Sequence, residues 1–341
     1  MKPWLRQTTL MLSISAILAG CGGGSSSSDS SNSSSESNVV DKENDSNEGK
    51  PDFDSLLLPS SNFDLDPMLP PSSNFDLSKW YLGAPIDLDN NGKSDSIYEK
   101  ELNNGYQVDD MFYTADDGGM VFRVGVNAPK TSTNTSYTRT ELREMLRQGD
   151  TSIKTQGVNK NNWVFSSAPS SAQAKAGGVD GVLNATLAVN HVTTAGDKYQ
   201  IGRVIVGQIH ANDDEPIRLY YRKLPNNSKG SIYFAHETRN GSEYWYEIIG
   251  SRSDSASNPS NGIALNEKFS YQIKVVGDKL TVTIVRLDKT YVSKTIDMYG
   301  SGYDDAEQYM YFKAGVYNQN NTSDDNDYVQ ATFYSLSTQH N

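Results

Sequence analysis

Three separate stretches of this chain carry residues that could move protons next to a negative charge. In Arg139-Thr140-Glu141-Leu142-Arg143-Glu144-Met145, an extended backbone puts Arg139, Glu141 and Arg143 on one face. In Gln208-Ile209-His210 it puts Gln208 and His210 on one face and Ile209 on the other. In Tyr309 to Gln319 the odd positions are Tyr309, Tyr311, Lys313, Gly315, Tyr317 and Gln319, and the even ones are Met310, Phe312, Ala314 and Val316. One face closes a core, and the other lays phenols, a cation and an amide in a row. Cations and amides neutralise a carboxylate, a base removes the proton beside it, and an acid protonates a leaving oxygen. Glycoside hydrolysis fits less well, because it needs two carboxylates across one bond. Glu141 and Glu144 fall on opposite faces of their strand, and Arg139 and Arg143 would keep Glu141 ionised and engaged.

Such stripes need strands to hold them, and the chain from about residue 74 reads as all-β. Alternating runs recur between Gly, Asn and Asp turns, among them 120–126, 181–191, 200–210, 217–223, 231–237, 244–249, 269–276, 280–287, 309–317 and 328–336. Val276-Gly277-Asp278-Lys279-Leu280 reads as a tight hairpin turn. No amphipathic helix of useful length appears. Many strands at regular spacing predict a sandwich, with the three polar stripes on one concave sheet.

The stretches Arg139 to Met145, Gln208-Ile209-His210 and Tyr311 to Gln319 resemble, in order and spacing, the signature motifs of alginate lyases of polysaccharide lyase family 7. The likeness runs from about Phe75 to the C-terminus. Arg123 departs from it, standing where the family pattern has an aromatic residue, and puts one sugar contact in doubt. The resemblance implies a jelly-roll β-sandwich whose concave sheet binds substrate, and β-elimination on the anionic polysaccharide alginate. It implies Arg143 and Gln208 as neutralisers of the uronate carboxylate and His210 and Tyr317 as the proton-transfer pair. Arg139, Glu141, Lys313, Tyr311 and Gln319 would line or brace the cleft, with no metal and no organic cofactor. Ile209, in place of Val, accompanies activity on guluronate in that family. Two alternatives stay open: a non-catalytic lectin of the same fold, and a lyase for another polyuronate such as glucuronan.

The N-terminus reads differently. Residues 1–20 hold Lys2, Arg6 and then an apolar run too short to span a membrane, as in a secretory signal. Leu18-Ala19-Gly20-Cys21 resembles a bacterial lipobox, which implies cleavage before Cys21, its acylation, and an outer-membrane lipoprotein facing the periplasm or the cell surface. Cys21 is the sole cysteine, so no internal disulfide forms. Residues 21–73 read as a disordered linker rich in Ser, Asp and Glu, and 74–341 as the catalytic domain. Between 22 and 57 lie eight acidic residues and two lysines, which supply −6 of the net −12. That balance argues against nucleic acid and leaves cations free to gather in one groove. Membrane contact is expected only through the lipid on Cys21. Asp87-Leu88-Asp89-Asn90-Asn91-Gly92 fits the start of a calcium loop, although position twelve is Tyr98 rather than Glu.

Overall fold

The computed structural model describes residues 40–43, 59–60 and 62–341. The expected signal segment, Cys21 and most of the expected linker lie outside the described residues. Alternating side chains build two antiparallel sheets around one core. One sheet has eight strands, in the order β1 (Val40–Glu43), β17 (Tyr291–Asp297), β16 (Lys279–Arg286), β15 (Phe269–Val276), β9 (Gly181–His191), β19 (Tyr328–Gln339), β5 (Met120–Gly125) and β4 (Phe112–Thr114). The other, with nine, runs β13 (Glu243–Ile249), β12 (Lys229–Glu237), β11 (Ile217–Arg222), β10 (Arg203–His210), β18 (Tyr311–Asn318), β6 (Arg139–Glu144), β2 (Trp80–Ala84) and β3 (Asp95–Ile97), with β14 (Ile263–Ala264) beside β12. A small parallel pair joins β7 (Trp163–Val164) to β8 (Gly178–Val179). The helices α1 (Pro71–Asn74), α2 (Glu99–Leu102) and α3 (Ser170–Lys175) are connectors.

The apolar faces meet between the sheets. Phe122 and Phe333 pack edge to face at 5.1 Å, and Leu187, Val206, Ile209 and Phe312 are buried in the same cluster. Gly277 turns the β15–β16 hairpin with φ 57°, as the sequence predicts.

The polar stripes depend on an irregularity between β10 and β18. Ile205 pairs with Tyr317, but Gly207 already pairs with Ala314. Gly315 absorbs the mismatch at φ 140°, where a Cβ would stand 2.6 Å from the Thr140 carbonyl oxygen and 2.8 Å from Glu141 Cα. Gly207 lies against Tyr271, whose hydroxyl donates to the Val206 carbonyl at 2.9 Å. Strict alternation would put Arg203 and Ile205 on the face opposite His210. The bulge moves them onto the same outer face.

Part of the segment ahead of residue 74 also touches the sandwich. The segment assigned to a linker up to residue 73 packs on the sandwich from residue 62 onward. Phe63 stacks on Tyr334 at 5.4 Å, Leu65 lies against the core, and Asn74 Nδ2 donates to the Asp66 carbonyl at 2.8 Å. Val40–Glu43 also departs from the expected disorder and pairs with β17. An edge strand accepts such a segment through its unpaired backbone groups, whatever the side chains.

Glu144, on the core side of β6, is fully buried. His340 Nε2 stands 2.9 Å from its Oε1, and His340 Nδ1 donates to the Asp180 carbonyl at 2.7 Å. Burial opposes the charge on both groups, yet each partner holds the other ionised: Glu144 below its ordinary range, His340 above. The carboxylate's contribution is lost as pH falls through its lowered folded pKa, and the imidazolium's as pH rises through its raised one. The pair therefore stabilises most fully between the ordinary values of 4.5 and 6.5. His340→Ala should cost about 3–5 kcal/mol near pH 6, because it strands a buried charge. Denaturant titrations at pH 6 and pH 9 test this, and the mutant's deficit should shrink at the higher pH.

Candidate active site

The outer face of the nine-stranded sheet gathers the predicted residues around one carboxylate. Glu141, on β6, is buried. Lys313 reaches it from β18 as a close ion pair, and Gln208 Nε2 donates to its Oε1 from β10. Arg139 Nη1 stands 3.6 Å from Oε2. Burial, then the neighbouring Arg139, lowers Lys313 to about 8, with Glu141 opposing. The Arg139 guanidinium lies 3.7 Å above the Tyr317 ring, and its Nε is buried without a hydrogen-bond partner. Burial raises Tyr317, against the pull of Arg139, so its hydroxyl keeps its proton at neutral pH.

His210 has a fixed tautomer. Its Nδ1 faces the Ala211 carbonyl at 2.7 Å, and a carbonyl only accepts. In the neutral ring the lone pair therefore sits on Nε2. The ring stacks on Tyr311 at 5.1 Å and 9°. Burial lowers the His210 pKa, with Lys313 and Arg139 adding to the effect and Glu215 opposing it. Ile209 faces the core, as alternation predicts.

Arg143 is placed otherwise than the sequence suggested. Its Nη1 donates to the Glu144 carbonyl at 2.9 Å and Met145 Sδ at 2.7 Å. Its Nη2 donates to the Thr155 carbonyl at 2.9 Å and Asn162 Oδ1 at 2.8 Å. Four of its five N–H groups thus hold the segment after β6, which leaves no fork for a carboxylate. Gln319 also turns inward, donating to the Asn318 carbonyl at 3.0 Å, and braces the end of β18.

Glu215 was not singled out in the sequence. It sits in the β10–β11 loop with Oε1 3.4 Å from His210 Nε2. His236 Nδ1 donates to the Pro216 carbonyl at 2.8 Å and fixes that loop. Glu215 shares a hydrogen bond with Glu237, which burial, with Glu215 alongside, raises to about 7 against the pull of Arg218. It stands five positions after His210, and that spacing is the only trace it leaves in the sequence. Asp87, Asp89 and Asp95 do cluster, but Asp87 accepts the Asn91 and Gly92 N–H groups and Asp95 that of Leu88, so these carboxylates close their own turn.

The fold and the site define a β-sandwich with a cationic, tyrosine-rich face suited to proton transfer beside a bound anion. The chain belongs to the alginate lyase family: that family's model matches residues 75–340. It is 61% identical over 272 residues to an alginate lyase of Klebsiella pneumoniae, covering 77% of this chain and 89% of that one. The crystal structure of the Klebsiella pneumoniae alginate lyase superposes with a TM-score of 0.79 at 59% identity, over 80% of this chain and 99% of that one. An alginate lyase structure from Pseudomonas aeruginosa gives a TM-score of 0.56 at 25% identity, over 78% and 100% of the two chains. The architecture is the jelly-roll sandwich that the motifs implied.

Glu215 should raise the basicity of His210. In Glu215→Gln the imidazole titration, followed by NMR, should move to lower pH, since the opposing carboxylate is gone while Lys313 and Arg139 remain. An unchanged titration would show that the two side chains are not coupled.

Proposed function

We propose that the protein depolymerises alginate by β-elimination at the 4-O-glycosidic bond and leaves 4,5-unsaturated uronate ends. The observation that carries this reading is the pair of cations, Arg139 and Lys313, gathered with Gln208 around Glu141, next to an imidazole whose Nε2 bears the lone pair. Arg139 Nε is buried without a hydrogen-bond partner, which leaves a donor for a substrate carboxylate.

In this reading Arg139, not Arg143, neutralises the carboxylate, because Arg143 is committed to the backbone. Gln208 gives one amide hydrogen to Glu141 and keeps the other for the substrate. Neutralisation acidifies the neighbouring C5–H, and His210 Nε2 removes it. Tyr317 protonates the departing O4. The β10–β18 register places His210 opposite Tyr311 and Tyr317 opposite Ile205. Their backbones are thus separated by roughly 17 Å, at about 3.3 Å per residue, and two long side chains that lean toward each other can flank one sugar ring. This route uses only side chains.

A base and a separate acid on opposite sides of the ring suit guluronate, whose C5 proton and O4 lie on opposite faces. In mannuronate they share a face, and Tyr317 alone could serve. Ile209 would act on this preference only through packing behind Gln208 and His210. The Leu18-Ala19-Gly20-Cys21 sequence supports a further part of the proposal, a lipid-anchored protein of the outer membrane that is secreted by a cleaved signal peptide. Cys21→Ser should then leave the membrane fraction.

Elimination makes a double bond conjugated to a carboxylate, so ultraviolet absorbance should rise when the protein meets alginate. A lectin would give no rise, and a glucuronan lyase would give one only on glucuronan. Arg139→Lys should lose about a hundred- to a thousand-fold in kcat, as expected for one electrostatic stabiliser. Near-normal turnover in that variant would return the role to another residue. Initial rates on the two homopolymers test the sugar preference: His210→Ala should lose guluronate cleavage more than mannuronate cleavage.

A further inference from the structure

The outer face of the nine-stranded sheet does not end at Tyr317. Across β10 to β13, Ile205 pairs with Tyr220, Tyr220 with Tyr233, and Ala235 with Trp245. The rings of Tyr220 and Tyr233 are buried and stack at 5.1 Å and 11°. The half-buried indole of Trp245 lies 5.3 Å and 5.9 Å from them. Two guanidiniums bracket this indole, Arg252 at 4.9 Å and Arg203 at 5.8 Å.

These two arginines differ from most others in the chain. Arg123, Arg147, Arg218, Arg239 and Arg286 each pair with a carboxylate. Among the described residues, neither Arg203 nor Arg252 has an ion pair. Arg203 Nη1 donates to the Tyr199 carbonyl at 3.1 Å, while its Nε is buried with no partner. Arg222 supports the arrangement from below. Its three nitrogens donate to the carbonyls of Ile201, Lys198 and Arg252, tying the Arg252 segment to the loop before β10. Glu247, also on this face, accepts from Ser251 Oγ and the Arg252 backbone N–H at 2.7 and 2.8 Å, and makes no ion pair with the guanidinium. In a chain of net charge −12, two such cations around a half-exposed indole mark a place prepared for an anion with an apolar face.

We propose that Trp245, Arg203 and Arg252 form a distal subsite that holds one uronate residue of the polymer, on the Tyr317 side of the cleaved bond. The proposal rests on the polyuronate lyase reading. The indole takes the C–H face of the pyranose ring, and a guanidinium meets both oxygens of its carboxylate. β13 lies four strands from β18, roughly 19 Å at about 4.8 Å per strand, and the indole leans back toward β11 and β12. The subsite is therefore a few sugar units from the bond that breaks. It acts on long chains and not on the shortest that can be cut.

The test measures kcat/KM for Trp245→Ala and Arg252→Ala on a guluronate series from the shortest cleavable oligomer to the polymer. The loss should grow with chain length and reach about ten-fold or more on polymer, the value of one charge-assisted hydrogen bond. It should appear mainly in KM. A loss independent of length, or none on polymer, would overturn the proposal. Arg252 is exposed, so its variant tests the idea even if Trp245→Ala fails to fold. Polymer binding gives a readout that does not depend on cleavage. In gel retardation with alginate, adding Arg252→Ala to a Tyr317→Phe background, which lacks the proton donor for either sugar, should weaken binding. Unchanged retardation would count against the subsite. Absence of unsaturated product with the wild type would instead defeat the lyase reading.

Discussion

Everything on the working face of this molecule depends on one buried carboxylate. Glu141 is withdrawn from water at the centre of β6, and a buried charge persists only when paired and hydrogen-bonded. Its partners come from three neighbouring strands: Arg139 from its own, Lys313 from β18 and Gln208 from β10. Satisfying Glu141 therefore fixes three side chains at once, without reliance on flexible loops. It also gathers two cations on one small area of the sheet. Burial, then Arg139, depresses Lys313 to about 8, with Glu141 and Glu215 opposing.

The arginines divide by what they donate to. Arg143, which also lies over the Tyr311 ring, and Arg222 spend their N–H groups on backbone carbonyls and act as struts within the face. Arg139, Arg203 and Arg252 stand against aromatic rings with capacity left over. An aromatic ring holds a guanidinium in place while leaving its hydrogen-bonding edge available. Arg139 stands over the ring of Tyr317, and Arg203 and Arg252 beside that of Trp245. The same residue type thus spends its donors on the scaffold in two places and keeps some of them unspent in three.

His210 shows how backbone and loop together set a proton-transfer group. The Ala211 carbonyl selects the tautomer, Tyr311 orients the plane of the ring, and Glu215 offsets the loss of basicity that burial brings. Glu215 can do so only because its loop is pinned by His236 from β12, a residue that faces no ligand itself.

Much of this was legible in the chain. Period-two alternation in 309–319 and 139–145 reveals strands with one apolar and one chemical face, since a strand's side chains alternate whatever lies around it. Three such stripes in the right order gave both the sandwich and its family. Alternation also assigned Ile209 to the core. Three features needed the tertiary structure. The bulge at Gly207 and Gly315 brings Arg203 onto the working face, and a break in register cannot be read from alternation, although a glycine inside a strand hints at one. The direction of the Arg143 guanidinium was set by the Thr155 carbonyl and the Asn162 side chain, which come near only after the following segment folds back. The packing of Phe63 was hidden because the Tyr334 ring it covers lies more than two hundred positions away. The sequence by itself determined which residue types share a face. Only the folded chain decided which of their polar atoms remain free for a ligand, because that depends on partners far away in sequence.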